Sequence, residues 1–194
     1  MGLPRESRIS LLLRSLAGLH CPESGRVLLG DDDVSALPPE ARFPRLGMVP
    51  QDPGRHLLTE SVADEIAVAL RSMGVPDHEQ TARITRAAAA LDLDDMLGRH
   101  PLDLSVGERE RVALAAMLVA DTGVLVLDEP TRGMDPERKR ALARIIRARA
   151  AAGAAVLVAT HDGPFAAAAA DEVLEMVHGD AVPTGRPPAS LLAA

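Results

Sequence analysis

The sequence contains no tryptophan, no tyrosine and only two phenylalanines. Single-strand nucleic-acid binders stack bases on aromatic rings, so that class is excluded. A single cysteine, Cys21, rules out a disulfide framework and a cysteine-rich zinc site. Basic side chains are outnumbered by acidic ones, 21 against 28, for a formal charge of −7. That balance argues against a nucleic-acid partner, which needs a basic surface. No apolar run approaches the ~18 residues of a membrane span. Residues 9–13 are interrupted by Arg14, and Glu6 and Arg8 flank them wrongly for a signal-peptide core, so a cytoplasmic protein is expected. Lysine is the sharpest shortage. Lys139, followed by Arg140, is the only one. A phosphate loop of the form G-x-x-x-x-G-K-S/T therefore occurs nowhere in the sequence.

What is present has the balance of a folded domain. The 194 residues fit one domain, or one domain that lacks a piece. With 47% hydrophobic and 25% charged residues, wholesale disorder is not expected. Ile9, Leu12, Leu13 and Leu16 stand at helical spacing and predict a short helix over 9–18. Pro22, Ser24 and Gly25 make a turn before a brief strand at 27–29. Gly30 and Asp31, Asp32 and Asp33 read as a solvated turn rather than a metal site. A strand at 46–49 ends at Pro50-Gln51-Asp52-Pro53. Helices are predicted over 61–70, 81–93 and 109–120.

The last third alternates differently. Apolar runs at 124–127 and 154–159 are separated by a helix at 136–151 and followed by a helix at 165–170 and a third strand at 173–177. Such alternation predicts an α/β protein whose parallel sheet is covered on both faces. The segment 183–188 reads as a surface tail.

Chemistry in open α/β sheets gathers at the carboxyl ends of the strands. Two predicted strands end in polar clusters, Asp128-Glu129 and His161-Asp162. An acidic residue at such an end holds Mg²⁺ through water, and its neighbour can serve as general base, although acidic residues also simply begin loops. Ser105 and Glu108 form a capping box at a helix start. The same helix start, with Gly107 allowing close approach, suits a phosphate. His20, His56, His78, His100 and His178 have no metal-ligand spacing.

The order of these segments is more specific than any one of them. Gln51 in V-P-Q-D-P is followed by Leu104-Ser105-Val106-Gly107-Glu108, then V-L-V-L-D-E-P ending at Pro130, then Asp135 in T-R-G-M-D, then A-T-H-D at 159–162. The chain resembles the ATP-binding subunit of an ABC transporter. The matching motifs are the Q-loop, a signature with Val106 in the usual second-glycine place, Walker B, the D-loop and the H-loop. The segments at 50–66, Arg99-His100-Pro101 and Thr160-His161-Asp162 are similar to energy-coupling-factor importers, which take up vitamins or transition-metal ions. The chain is similar to the second half of a tandem fusion of two such ATPase halves.

The resemblance implies a P-loop NTPase-like core whose parallel sheet is flanked by helices, with a small helical subdomain at about 61–120 and the N-terminal strands missing. Residues 1–194 are read as a partial ABC ATPase domain. The cofactors implied are ATP and Mg²⁺. Asp128 would hold Mg²⁺ through water, Glu129 would be general base, and His161 would contact the γ-phosphate and the water. Gln51 would sense Mg²⁺ and γ-phosphate. Leu104, Ser105, Val106, Gly107 and Glu108 would reach a partner's nucleotide, and Asp135 would organise the interface. The partners implied are a second ABC ATPase domain and a transmembrane subunit. The protein would sit peripherally on the inner face of the membrane.

The resemblance breaks at the start of the chain. The family's phosphate loop immediately precedes the helical segment, which puts its lysine on Ile9, its Mg²⁺-binding hydroxyl on Ser10 and its glycines on Leu3, Glu6 and Arg8. Only Ser10 is compatible. A charge-assisted lysine bond is worth about 1.5–3 kcal/mol, so losing it with several loop N–H groups costs ~5 kcal/mol of nucleotide binding. Three readings stay open: a truncated transport ATPase, a pseudo-ATPase that offers its signature to a partner, and a regulatory module that uses no nucleotide.

Overall fold

The computed structural model describes residues 8–185. Helix α1, Arg8–Leu16, turns Leu13 inward and leaves Ile9, Leu11 and Leu12 exposed. It ends where the chain reverses at Gly18, with φ +68°; a Cβ there would stand 2.6 Å from Val34 Cγ1, so glycine is required. A two-residue antiparallel hairpin follows, β1 (Leu28–Leu29) with β2 (Asp32–Asp33). Asp32 and Asp33 thus lie in a strand rather than in the turn expected. Their carboxylates are engaged locally, Asp32 with Arg45 and Asp33 with the N–H and hydroxyl of Ser35.

A short helix α2, Pro39–Arg42, leads into β3, Leu46–Val49. A 3-10 turn, Pro53–His56, comes next. Helix α3, Val62–Ser72, is capped by Ser61 and buries Val62, Ile66, Ala69 and Leu70, one apolar stripe of a 3.6-residue period. Helix α4 runs Asp77–Ala89 rather than 81–93. Pro76 and two acidic residues favour the earlier start, and the chain leaves the helix before Asp92, whose φ is +53°. Helix α5 runs Val106–Leu118, three residues earlier than the apolar pattern predicts, because the Ser105–Glu108 capping box sets its start.

Strand β4, Val124–Asp128, helix α6, Pro136–Ala151, strand β5, Ala155–Ala159, and helix α7, Gly163–Ala169, complete the alternation. The parallel sheet has the order β3-β4-β5, with Leu46 opposite Val124 and Val124 opposite Ala155. Helix α5 packs on β3, α1 on β4 and α6 on β5. One buried cluster runs from α3 and α5 through Leu125 and Leu127 to Leu142, Ile146 and Phe165. The outer edge of β5 pairs with no further strand among the described residues. The expectation of missing N-terminal strands lies outside the described residues.

The C-terminal part departs from expectation. β6, Val173–Val177, does not join the parallel sheet. It pairs antiparallel with β7, Asp180–Gly185, so 183–185 are strand and not tail; 186–188 lie outside the described residues. The cause is local. His178 at φ +53° and Gly179 at φ +106° make a two-residue reversal, the geometry that favours a hairpin.

Candidate functional site

The carboxyl ends of β4 and β5 are pinned to each other. Asp128, 5% exposed, is the last residue of β4. Glu129 follows in the left-handed region, φ +50°, and its N–H donates to Ala159 O at 2.8 Å. This conformation costs a non-glycine residue about 1–3 kcal/mol and aims its side chain across the strand ends. Glu129 Oε1 lies 2.9 Å from His161 Nδ1, and the Thr160 hydroxyl donates to Oε2 at 3.4 Å. A hydrogen bond donated to the Glu129 carboxylate, and then that carboxylate's charge, holds the His161 imidazole above its usual value of 6.5.

A second tie supports the first. Asp162 caps α7 by accepting the Phe165 N–H, and Lys139 on α6 donates to its other oxygen at 2.6 Å. Burial works against ionisation of Asp162, but the Lys139 bond, the Phe165 N–H and the lysine charge outweigh it, so its carboxyl lies below the ordinary value. The only lysine of the chain is therefore committed to anchoring the loop that carries His161.

Asp128 and Glu129 line a cavity of about 20 Å³ with Gln51 and Glu110, closed by Val49 and Leu114. That is room for about one water. Gln51 reaches it because Gly54 packs tightly on α5, where a Cβ would come within 2.9 Å of Arg109 Cβ. The loop beyond is fixed by buried Glu65 on α3, whose Oε2 accepts from the N–H groups of Leu58 and Thr59 and from the Thr59 hydroxyl. Leu58 itself is 89% exposed.

Glu110 was not singled out from sequence. It stands two residues beyond Glu108 on α5, where the apolar pattern made it one more polar position. Burial pushes its carboxyl above the usual range, Arg132 opposes this, and Asp52 adds to it.

The donors here are oxygens, the set a hard divalent cation prefers. Among the described residues no three His, Cys, Asp or Glu are grouped to hold a metal. Asp128 and Gln51 thus fit a cation that takes its remaining ligands from water and phosphate, not a cage built by protein alone.

The other expected residues lie apart from this cavity. Ser105 Oγ accepts the Glu108 N–H and donates to the Glu108 carboxylate, which in turn accepts the Ser105 N–H at 2.7 Å. The Ser105 hydroxyl, then the Ser105 N–H, hold the Glu108 carboxyl below its usual value. Leu104 is buried and anchors the loop; Val106 is exposed, and a Cβ at position 107 would meet nothing within 4 Å. Asp135 caps α6, accepting the N–H groups of Glu137 and Arg138. Ser10 is half-buried on α1 and does not line the cavity of Asp128. Arg8 and Ile9 are exposed on the same helix; Leu3 and Glu6 lie outside the described residues.

With this geometry in hand, the comparisons with known proteins are specific. The family model described as ABC transporter matches residues 9–132. The chain is 35% identical over 196 residues to the nickel import ATP-binding protein NikO of Rhodobacter capsulatus, a match covering 95% of this chain and 76% of the relative. It is 35% identical over 187 residues to the energy-coupling factor transporter ATP-binding protein EcfA2 of Symbiobacterium thermophilum, covering 95% and 65%. It spans only 40% of the length of a Clostridium tetani relative to which it is 33% identical. The fold matches a dimeric, post-hydrolysis ATP-binding cassette bound to ADP and Pi, with a TM-score of 0.79 at 20% identity, over 89% of this chain and 78% of that one. Among the described residues no helix is long and apolar enough to cross a membrane.

Proposed function

The chain belongs to the ABC transporter family, and from that premise we propose that it is an ATP-binding, ATP-hydrolysing subunit of an importer of the energy-coupling-factor kind. One observation carries the reading. Glu129, held by His161 and Thr160, stands beside Asp128 and Gln51 around a cavity the size of one water. Glu129 accepts the proton of an attacking water at its carboxylate. His161 keeps that carboxylate in place through Nδ1. Asp128 and Gln51 would hold Mg²⁺, which, when bound, would neutralise charge on the nucleotide's phosphates.

Ser105 and Gly107 at the start of α5, and Asp135 before α6, face a second ABC ATPase domain. Closure of that dimer drives a transmembrane subunit, against which exposed Leu58, in the loop beyond Gln51, is suited to pack. On this reading the protein works at the cytoplasmic face of the membrane, without a nucleic-acid partner. The substrate class follows the named relatives, one a nickel importer and one an energy-coupling-factor subunit.

A specific observation favours a second reading, the pseudo-ATPase. Lys139 is tied to Asp162 and Ser10 stands outside the cavity, so the groups that clasp the phosphates are not among those assembled at Glu129. The experiment is calorimetry of MgATP with the purified chain, alone and with an intact ABC ATPase partner. Binding by the chain alone supports the first reading. No binding alone, but a partner whose turnover rises and then falls on Ser105→Ala and not on Glu129→Gln, supports the second. No effect in either arm refutes both.

A further inference from the structure

A second polar network, separate from the Glu129 cluster, joins the two segments just assigned to the partner interface. Arg138, in the first turn of α6, bonds through Nη1 to Asp135 Oδ2. Its Nε is buried without a hydrogen-bond acceptor in line, and lies 3.4 Å from Asp92 Oδ2. Asp92 is in the left-handed region, held there because Leu91 and Leu93 on either side are buried in the core. The carbonyl of Leu91 accepts from Arg111 Nε at 3.0 Å, and Arg111 Nη1 reaches the Gly107 carbonyl at 3.4 Å. Burial first, and then the charge of Arg138, hold the Arg111 guanidinium below its usual value, while Glu108, Asp92 and Asp135 oppose this. The contacts therefore run from Asp135 through Arg138 to Asp92, along the backbone to the Leu91 carbonyl, and through Arg111 to the start of α5.

We propose that Arg138 is a positioning residue: by bridging Asp135 and Asp92 it holds the Asp135 loop and the Ser105–Gly107 helix start at one fixed separation, so that a partner domain meets them as a single surface. The proposal rests on the reading that these two segments face a partner. Arginine suits the task because its planar fork engages two carboxylates at once, whereas a lysine engages one point. Aspartate suits position 92 because it tolerates the left-handed backbone and supplies the charge. Both side chains are partly exposed, so the bridge is of the modest kind, and it is weakened by salt.

The test is a double-mutant cycle on the full chain with Arg138→Gln and Asp92→Gly. Glycine at 92 keeps the backbone conformation and removes only the carboxylate. The first readout is hydrogen exchange of the amides at 133–138 in the chain alone. The second is kcat and KM of an intact ABC ATPase partner mixed with the chain. Each single variant is expected to speed exchange and to lower the stimulated kcat about two- to fivefold without moving KM, and the double variant to be no worse than either. The difference from wild type shrinks between about 0.05 and about 0.5 M salt, and Arg138→Lys recovers only part of it. Multiplicative effects in the double variant, or unchanged exchange in both singles, overturn the proposal. Faster exchange in the variants, with a wild-type chain that stimulates no partner, leaves the bridge standing but removes the functional reading and the positioning role with it.

Discussion

Strands β4 and β5 and the helix α1 that packs on β4 are all apolar segments, yet they are held very differently. β4 buries Leu125, Val126, Leu127 and Asp128, and its end is crosslinked to β5 by the Glu129 N–H and by His161, while Lys139 on α6 ties down Asp162 in the loop after β5. α1 buries Leu13 alone among its nine residues and leaves Ile9, Leu11 and Leu12 37–40% exposed. Residues of the β4–β5 end are aimed by strain and by several bonds at once. Ser10, the one position on α1 compatible with a nucleotide role, does not line the cavity. A site residue needs an anchored backbone as well as the right side chain, and only one of these regions supplies it.

The largest test of this contrast is core truncation. Leu127→Ala, at a fully buried position of β4, should cost about 3 kcal/mol, whereas Leu12→Ala on α1 should stay under about 1. Denaturant midpoints of the two variants measure the ranking, and equal losses would mean that α1 is packed as firmly as the sheet.

Next comes the loop beyond Gln51. Glu65→Ala removes one buried carboxylate oxygen that accepts three bonds and should cost about 2 kcal/mol, with faster proteolysis of residues 57–60. A wild-type cleavage pattern in that variant would show that the loop is held by something else.

A smaller effect, about 1 kcal/mol, is expected for Lys139→Ala, because the pair is only partly shielded from water. Asp162 is depressed in the folded state. Its contribution is therefore present above its unfolded value near 3.8 and is lost as pH falls through the lower folded value. In the variant, acid unfolding should begin at a higher pH. An unchanged acid limb would break the link between α6 and the His161 loop.

The smallest effect is read by NMR. His161 titrates above 6.5 in the wild type and should return toward that value in Glu129→Gln. The sign follows from the raised folded value: the His161 contribution is full below 6.5 and fades as pH rises through the folded pKa. A His161 that titrates identically in both proteins would mean the pair does not persist in solution.

Much of the fold was legible beforehand. The strand at 46–49, the helix at 136–151 and the strand at 173–177 have the predicted bounds, because each apolar or periodic run is closed locally, by Pro50, by the Asp135 N-cap with Pro136, and by the His178-Gly179 turn. Boundaries failed where local chemistry competed with the apolar pattern. The capping box moved the start of α5 back to Val106, and Asp92 ended α4 early. Around the site, Gln51, Asp128, Glu129 and His161 were legible because each stands at or beyond a strand end. Glu110 was not, because which face of α5 turns toward β3 is decided by packing rather than by the sequence of α5.

By itself the sequence determined the order of motifs and the alternation of apolar strands and helices. These are properties of residue type and spacing, which survive without coordinates. Only the tertiary structure decided that the single lysine anchors Asp162, that Glu110 joins the cavity and that Arg138 bridges Asp135 to Asp92. Each of these depends on which side chains meet across tens of residues. Such meetings are set by how helices pack on the sheet, and no local pattern carries that information.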